Sequence, residues 1–247
     1  MEIEVTGAKI LLELPFGITI TETQVNMWLV MLGITALCIW LTRGLKVKPT
    51  SKRQIVAEFL VKTAENFVSG NMGKKWLWFA PYIAALFSLA LFSSLISLLG
   101  MYPPTSDLNT TLGWAIMTFV LITFYKIKTN GPLGYAKSLT EPVFIMTPMN
   151  ILGEIATPMS MAFRMFGNVA SGTVVSALVY AALAAANSAL FGWLPGILGE
   201  MGEKLPILQL GLPAVLSLYF DVFSGVLQAF IFCMLTMLYI ASAAETE

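Results

Sequence analysis

Long apolar runs alternate with short polar or basic segments along most of the chain. Three runs have the length and composition of a membrane-spanning helix: 24–42, 76–99 and 108–125. The last third differs, because 33 residues from Met159 to Phe191 and 30 from Ala214 to Ala243 contain no proline. As unbroken helices these would be about 50 and 45 Å long, against a hydrocarbon core of about 30 Å. We therefore expect two long, steeply tilted helices within 143–191 and 206–244, paired as a hairpin.

The segment 43–75 between the first two runs is basic, with eight lysine or arginine residues against two glutamates. Mostly apolar side chains recur there at helical spacing: Ile55, Phe59, Leu60, Thr63 and Phe67. This pattern predicts an interfacial amphipathic helix whose charged side faces water. The fold class predicted is thus an all-α polytopic membrane protein, one domain over 1–247, with five membrane-embedded helices and one interfacial helix.

The distribution of basic residues predicts the orientation. Lysines follow the third run, whereas the loop between the second and third runs carries Asp107 and no basic residue. The positive-inside rule then places 43–75 and 126–141 in the cytoplasm. It places the N-terminal segment 1–23 and the Asp107 loop outside, and five helices bring the C-terminus to the cytoplasm.

Composition narrows the function classes. The chain is 57% hydrophobic and 11% charged, with zero formal net charge and no histidine. These values favour a protein held in the lipid bilayer and argue against a nucleic-acid partner, a bis-histidine haem or a common metal site. Cys38 and Cys233 both lie in apolar runs, which is typical of small buried side chains. There is no phosphate-binding loop motif, so we expect no cofactor and no nucleotide bound by this chain.

Charged and polar residues inside the last two runs are the candidate functional groups. Arg164 lies in an uncharged stretch, and Asn168 follows it one helical turn later. In the second run Asp221 is the one acidic or basic residue between Lys204 and Glu245, and Gln228 follows seven residues later, with Ser224 between them. Ionisable groups at membrane depth mark ion paths by default. A static Arg164–Asp221 pair is the structural alternative.

Four motifs carry a resemblance to a known family. The stretches "SMAFRMFGNVASG" and "VLQAFIFCMLTMLYI", about sixty positions apart, together with "PPTSDLNTT" and "TPMNILGEIATPMS", resemble subunit a of the F-type ATP synthases. The resemblance runs from about residue 20 to 244. It implies a rotary H⁺ or Na⁺ channel in a bacterial inner membrane that is not an enzyme on its own.

The resemblance also implies partners and roles. The c-ring and the peripheral-stalk b subunits are the partners, and ions reach and leave the ring through two aqueous half-channels. Arg164 matches the family's essential arginine, which favours the ionised form of an arriving c-ring carboxylate and blocks leakage between the half-channels. Asn168 and Gln228 match polar positions that line the water path and orient the arginine.

Two departures from the family pattern concern the external half-channel. Asp221 stands where family members carry histidine or glutamate, so the relay there is of a different kind. Thr173 replaces a glutamate found in many members, and Ser224 is a polar neighbour of this channel. Asn150 and Glu154 either line the exit half-channel or cap the start of their helix.

Two other function classes fit the residues without the resemblance. A secondary cation transporter also places charges at mid-membrane, although such folds usually show inverted repeats and broken helices, and no internal repeat is found here. A structural subunit of a redox complex would tolerate replacement of Arg164 with a stability cost alone.

Overall fold

The computed structural model describes residues 8–14, 18–46, 51–140, 144–191 and 218–244. A short antiparallel hairpin of β1 (Ile10–Leu14) and β2 (Ile18–Thr21) leads directly into the first helix. The helices are α1 (Glu22–Thr42), α2 (Lys52–Met72), α3 (Ala80–Leu95), α4 (Leu108–Thr140), α5 (Thr147–Phe191) and α6 (Gly225–Ala244). Short 3₁₀ turns cover Lys74–Phe79, Ile96–Leu99, Pro104–Ser106 and Phe144–Met146, and a π-helical turn, Leu218–Ser224, leads into α6.

Five segments are long and apolar enough to cross a membrane: Glu22–Thr42, Lys74–Leu99, Leu108–Thr140, Phe144–Asn187 and Val222–Ala244. This confirms the predicted all-α polytopic membrane fold. Part of the predicted last helix, residues 206–217, and the link before it lie outside the described residues. The hairpin connection between the last two helices therefore stays a prediction.

Helix α4 continues well past the apolar run 108–125 and bends near its end. Gly131 has a φ of 73° and is followed by Pro132. Proline lacks a backbone N–H and disfavours α geometry in the residue before it, while glycine accepts a positive φ without a steric penalty. The pair therefore breaks the regular helix and turns its last part, 132–140, toward α5.

Helix α5 is 45 residues long and contains Pro158 in its interior. The proline-free stretch from Met159 is thus only part of the helix, which begins at Thr147. At about 1.5 Å per residue, the whole helix would extend about 68 Å, more than twice the thickness of a hydrocarbon core. A proline can persist inside a membrane helix when neighbouring groups satisfy the backbone that it leaves unpaired.

The core lies where α3, α4 and α6 pack together, with α2 and α5 contributing from two sides. Small residues sit at the closest approaches: Ala90, Ala115, Ala229 and Cys233 have no exposed surface. Small side chains let helix backbones approach closely, which is how membrane helices gain packing energy. Larger buried side chains fill the remaining space: Val68, Ile83, Met165, Phe232, Met237 and Ile240.

Residues 103–106, in the loop between α3 and α4, are buried. Asp107 accepts hydrogen bonds from the Asn109 backbone N–H (2.9 Å) and from the Thr23 hydroxyl (2.8 Å). The first bond caps the start of α4, and the second ties that cap to α1. The Asn26 amide adds a bond to the Tyr102 carbonyl (2.9 Å). Asp107 therefore has a structural role at this end of the bundle.

The predicted amphipathic helix forms, but its apolar side chains divide into two groups. Toward its end, Val68 is fully buried and Phe67 contacts Phe230 of α6 with ring centroids 5.2 Å apart. Toward its start, Ile55 and Phe59 remain 53% and 67% exposed. The first group docks α2 onto the bundle, and the second forms the uncovered apolar face expected of an interfacial helix.

Gly225 provides a direct test of this packing. A β-carbon on Gly225 would lie 3.0 Å from the Ser94 β-carbon on α3. We expect Gly225→Ala to lower the free energy of unfolding by about 1–3 kcal/mol, because a tightly packed site must shift to admit the methyl group. Thermal unfolding of the detergent-solubilised complex measures the effect. Gly113→Ala, where the new β-carbon meets nothing within 4 Å, is the matched control.

The compensating variant Gly225→Ala/Ser94→Gly removes the opposing β-carbon and should recover most of the loss. Equal stability of Gly225→Ala and the parent would show that α3 and α6 are not in this close contact.

Candidate functional site

Arg164 lies on a side of α5 that faces away from the helices that the structure describes. Its neighbours Met161, Ala162 and Met165 are 2%, 0% and 0% exposed and pack into the bundle. Arg164 itself is exposed, as is Ser160 one turn earlier. Its guanidinium makes no hydrogen bond or ion pair with any residue in the part of the chain that the structure describes. The charge is therefore presented outward, toward whatever packs on this side of α5.

Asn168 and Ser224 form a reciprocal contact between α5 and the π turn. The Ser224 hydroxyl donates to Asn168 Oδ1 at 2.9 Å, and Asn168 Nδ2 donates to the Ser224 backbone carbonyl at 3.3 Å. The two residues were predicted separately, one beside the arginine and one as a neighbour of the external half-channel. The structure brings them into direct contact, 56 residues apart in the chain.

The two helices pass each other in antiparallel directions. Glu154 and Pro158 near the start of α5 line the same cavity as Tyr239 and Ala243 near the end of α6. Asn168 meets Ser224 just before α6 begins. Because the helices are antiparallel, four residues back from Asn168 on α5 correspond to four residues forward from Ser224. Arg164 therefore lies at about the level of Gln228.

Gln228 differs from Arg164 in its exposure. Its side chain is only 6% exposed. Over the described ranges, no hydrogen-bond partner is found for its amide. Gln228 and Arg164 therefore lie at about the same level with no hydrogen bond found between them, and the Gln228 amide can bond to water or to a group on another chain.

Asp221 lies in the π turn, and its side chain is outside the described part of the structure. Its backbone is on the far side of the Asn168–Ser224 contact from Arg164. Arg164 lies four residues from this contact along α5, and Asp221 lies three residues from it along the π turn, in the opposite direction. The levels of Arg164 and Asp221 are therefore roughly 10 Å apart along the helix axes. The sequence pattern spaced Asp221 and Gln228 as two turns of a regular α-helix. The structure places a π turn between them, where the hydrogen-bond period is i→i+5.

Ser171 and Thr173 carry hydroxyls on α5 beyond Asn168, Ser171 on the same side of the helix as Asn168 and Thr173 on nearly the opposite side. Both are exposed, and their hydroxyls donate to carbonyls of the preceding turn, Ser171 to Asn168 at 3.1 Å and Thr173 to Ala170 at 2.8 Å. These local bonds leave the hydroxyl oxygens able to accept a further hydrogen bond from water.

A cavity of ≈ 1040 Å³ opens between α4, α5 and α6 at the other half of α5. Its lining includes Asn150 and Glu154, the two residues predicted for either an exit path or a helix cap. Glu154 is two turns inside α5 and its carboxylate accepts bonds from Lys126 Nζ (2.5 Å) and the Tyr135 hydroxyl (2.5 Å), both on α4. Glu154 is therefore not a helix-start cap.

Lys126 and Tyr135 were not predicted as members of this cluster. Lys126 follows the third apolar run, where a lysine indicates the cytoplasmic side of the membrane and nothing about an ion-pair partner. The Asn150 amide also reaches α4, where it donates to the Leu139 carbonyl at 2.9 Å. These contacts join residues that are 11 to 28 positions apart in the chain, and they lie on both sides of the bend in α4. No local sequence pattern indicates them.

Comparisons with known proteins agree on one family. Residues 24–241 match the family model described as ATP synthase A chain. The sodium ion specific ATP synthase subunit a of Propionigenium modestum is 33% identical over 244 residues, spanning 91% of this chain and 74% of that protein. The ATP synthase subunit a 1 of Crocosphaera subtropica is 32% identical over 233 residues, spanning 93% and 90%. The ATP synthase subunit a of Moorella thermoacetica is 31% identical over 229 residues, spanning 91% of each.

These matches cover nearly the whole chain and name one subunit throughout. They confirm the resemblance carried by the four motifs and set aside the transporter and the redox-complex subunit. The chain therefore belongs to the ATP synthase A chain family, the ion-translocating membrane subunit a of ATP synthases.

Proposed function

We propose that this chain is the stator half of a rotary ion channel, carrying H⁺ or Na⁺ to and from a ring of c subunits through two half-channels. The observation that carries the proposal is Arg164, which is exposed and has no partner among the described residues. One relative is named as sodium ion specific, and the proposal holds for either ion because the ion is bound by the ring. The chain contributes translocation, and ATP chemistry belongs to other subunits of the complex.

The proposed role of Arg164 follows from the chemistry of its side chain. A guanidinium keeps its charge at all physiological pH values, and its planar donors match a carboxylate. A c-ring carboxylate that arrives opposite Arg164 is favoured in its ionised form and so releases its H⁺ or Na⁺. The same fixed positive charge repels cations and separates the two half-channels.

A static pair with Asp221 accounts for the geometry less well. The two backbone levels lie roughly 10 Å apart along the helix axes, which a pair would have to span in addition to the separation between the helices, and Arg164 is exposed. A partner on another chain, which takes up successive positions as the ring turns, fits an exposed guanidinium.

The cavity beside Glu154 supports the location of the exit half-channel. It is wide enough for many water molecules and is lined by polar groups of three helices. The Lys126–Glu154 pair places opposite charges together on its wall, so that the wall carries little net charge from this pair.

The external half-channel is proposed on the opposite half of α5. Ser171 and Thr173 are exposed there, and Asp221 lies at this end of the antiparallel pair. Asp221 is the proposed ionisable relay, with Ser224 and Thr173 as polar neighbours. Peripheral-stalk b subunits and lipid are the proposed partners of other surfaces, including the uncovered face of α2.

We also propose a bacterial plasma membrane location with the N-terminus outside and the C-terminus inside. The described contacts support two distinct ends of the bundle. Thr23 meets Asp107 at one end, whereas Lys126 meets Glu154 and Gln54 meets Lys46 at the other. The second end carries the basic segments that the positive-inside rule places in the cytoplasm.

Replacement of Arg164 tests the motor function directly. In Arg164→Ala we expect ATP-driven ion pumping to be abolished and passive ion leak through the assembled complex to rise several-fold, because the charge barrier between the half-channels is gone. Arg164→Lys should also lose most pumping, since an ammonium lacks the planar fork. Pumping and leak are measured in inverted membrane vesicles that contain equal amounts of assembled complex.

The double variant Arg164→Ala/Asp221→Asn is the matched control for a static pair. If the two residues form a permanent ion pair, removal of both charges should restore much of the function that either single change costs. We expect no recovery, and restored pumping in the double variant would contradict the motor function of Arg164.

The two half-channels and the orientation can be tested with one pair of variants on α5. We expect Thr157→Cys, in the cavity lining, to react with a membrane-impermeant thiol reagent from the cytoplasmic side only. Thr173→Cys, on the other half of α5, should react from the outside only. Labelling is compared in intact cells and inverted vesicles, with Cys38 replaced by serine because it is exposed. Reaction of both cysteines from the same side would overturn the two-channel arrangement.

A further inference from the structure

The entry of the chain into α6 is held from two sides. The π turn ends at Ser224, where Asn168 of α5 bonds to it, and the next residue, Gly225, packs closely against Ser94 of α3. π turns are rare, occur mostly as single turns within α-helices and are frequent at functional sites. Here the turn ends at a junction that contacts two other helices.

The Asn168–Ser224 contact fixes more than one degree of freedom. The planar amide of Asn168 uses both of its ends on one residue: its oxygen accepts from the Ser224 hydroxyl, and its nitrogen donates to the Ser224 carbonyl. A rotation of α5 breaks the first bond, and a slide along α6 breaks both. In a medium of low dielectric, a lost bond leaves polar groups unpaired at a substantial cost.

The position of this contact relates it to Arg164. Arg164 and Gln228 each lie four residues from it, on the same side in the antiparallel register, or about 6 Å along each axis. A slide of one turn would move Arg164 from the level of Gln228 to that of Ser224. A rotation of α5 would turn Arg164 toward the strip of Met161, Ala162 and Met165, which is fully packed.

We propose that Asn168 and Ser224 are positioning residues that set the register of α5 against α6, and so hold Arg164 outward at a fixed level. This rests on the proposed function of Arg164. In this role Asn168 acts through the helix pair and makes no contact with the moving ion. That differs from the role implied by the family resemblance, in which the asparagine lines the water path.

The register is tested first by cross-linking, independently of activity. In a background of Cys38→Ser and Cys233→Ala, the assembled complex carries Asn168→Cys and Ser224→Cys. We expect a short dithiol-reactive reagent to link the two positions within the chain rapidly. Ser171→Cys with Ser224→Cys is the matched control pair, one turn out of register, and should link at least several-fold more slowly. Equal or faster linking of the control pair would overturn the proposed register.

The positioning role is tested by ion leak and ATP-driven pumping. Asn168→Ala and Ser224→Ala should each raise passive leak several-fold and lower pumping. Because the two substitutions remove the same contact, the double variant should leak no more than the leakier single variant. Linking the cysteine pair with a cleavable reagent should reduce its leak toward the parent value, and cleavage should restore the leak.

The cross-linked pair separates positioning from a direct role in the ion path. A covalent link between positions 168 and 224 restores the register of α5 against α6 but does not restore the asparagine amide. Leak that stays high after linking would therefore overturn the positioning role. Normal pumping in Arg164→Ala would instead refute the proposed function, whatever the cross-linking shows.

Discussion

The free-energy cost of an unpaired guanidinium at membrane depth is the constraint on which this structure depends. Insertion scales give about 2.5–3.5 kcal/mol for an arginine at the centre of a membrane helix. Within the described part of the chain, Arg164 has no partner that offsets this cost, although its neighbours Met161, Ala162 and Met165 are packed into the bundle. An acidic group on a neighbouring subunit can offset it, and a ring of such groups offsets it repeatedly while it turns. The exposure of Arg164 is thus unfavourable for the isolated chain, and in the proposed function the c-ring offsets this cost.

The supporting structure holds this charge in place through tight packing and few polar bonds. The contacts between α3, α4 and α6 use residues without exposed surface, such as Ala90, Ala115 and Ala229, so these helices cannot slide without creating clashes or voids. Helix α5 joins them through Met161 and Met165 and a small number of hydrogen bonds. One half of α5 borders a large cavity, and the other half carries exposed hydroxyls. In the proposed function, these two regions are the two half-channels, with Arg164 between them.

The sequence predicted those features that follow from length, apolar composition and isolated charge. The five spans were predictable because a bilayer requires about 20 apolar residues per crossing, and Arg164 was identifiable because a charge inside such a run is rare. The continuation of α4 to Thr140 was not predicted, since Lys126 ends the apolar run and its ion pair with Glu154 forms only in the folded bundle. The π turn was also missed, because its contacts with Asn168 and α3 come from distant parts of the chain. The hairpin of β1 and β2 precedes the first span, where hydropathy gives no signal.

The most direct test of the account is to identify what lies against the exposed side of α5 in the assembled complex. A photoreactive maleimide on Ser160→Cys, one turn before Arg164 and exposed, should cross-link to a c subunit and stop ATP-driven pumping. The same reagent on Met161→Cys, the adjacent residue with 2% exposure, should cross-link only within the chain. A strong c-subunit product from position 160 and none from position 161 is the predicted result. Cross-links from position 160 to lipid alone, or to another part of this chain, would contradict the claim that the partner of Arg164 is on the rotor.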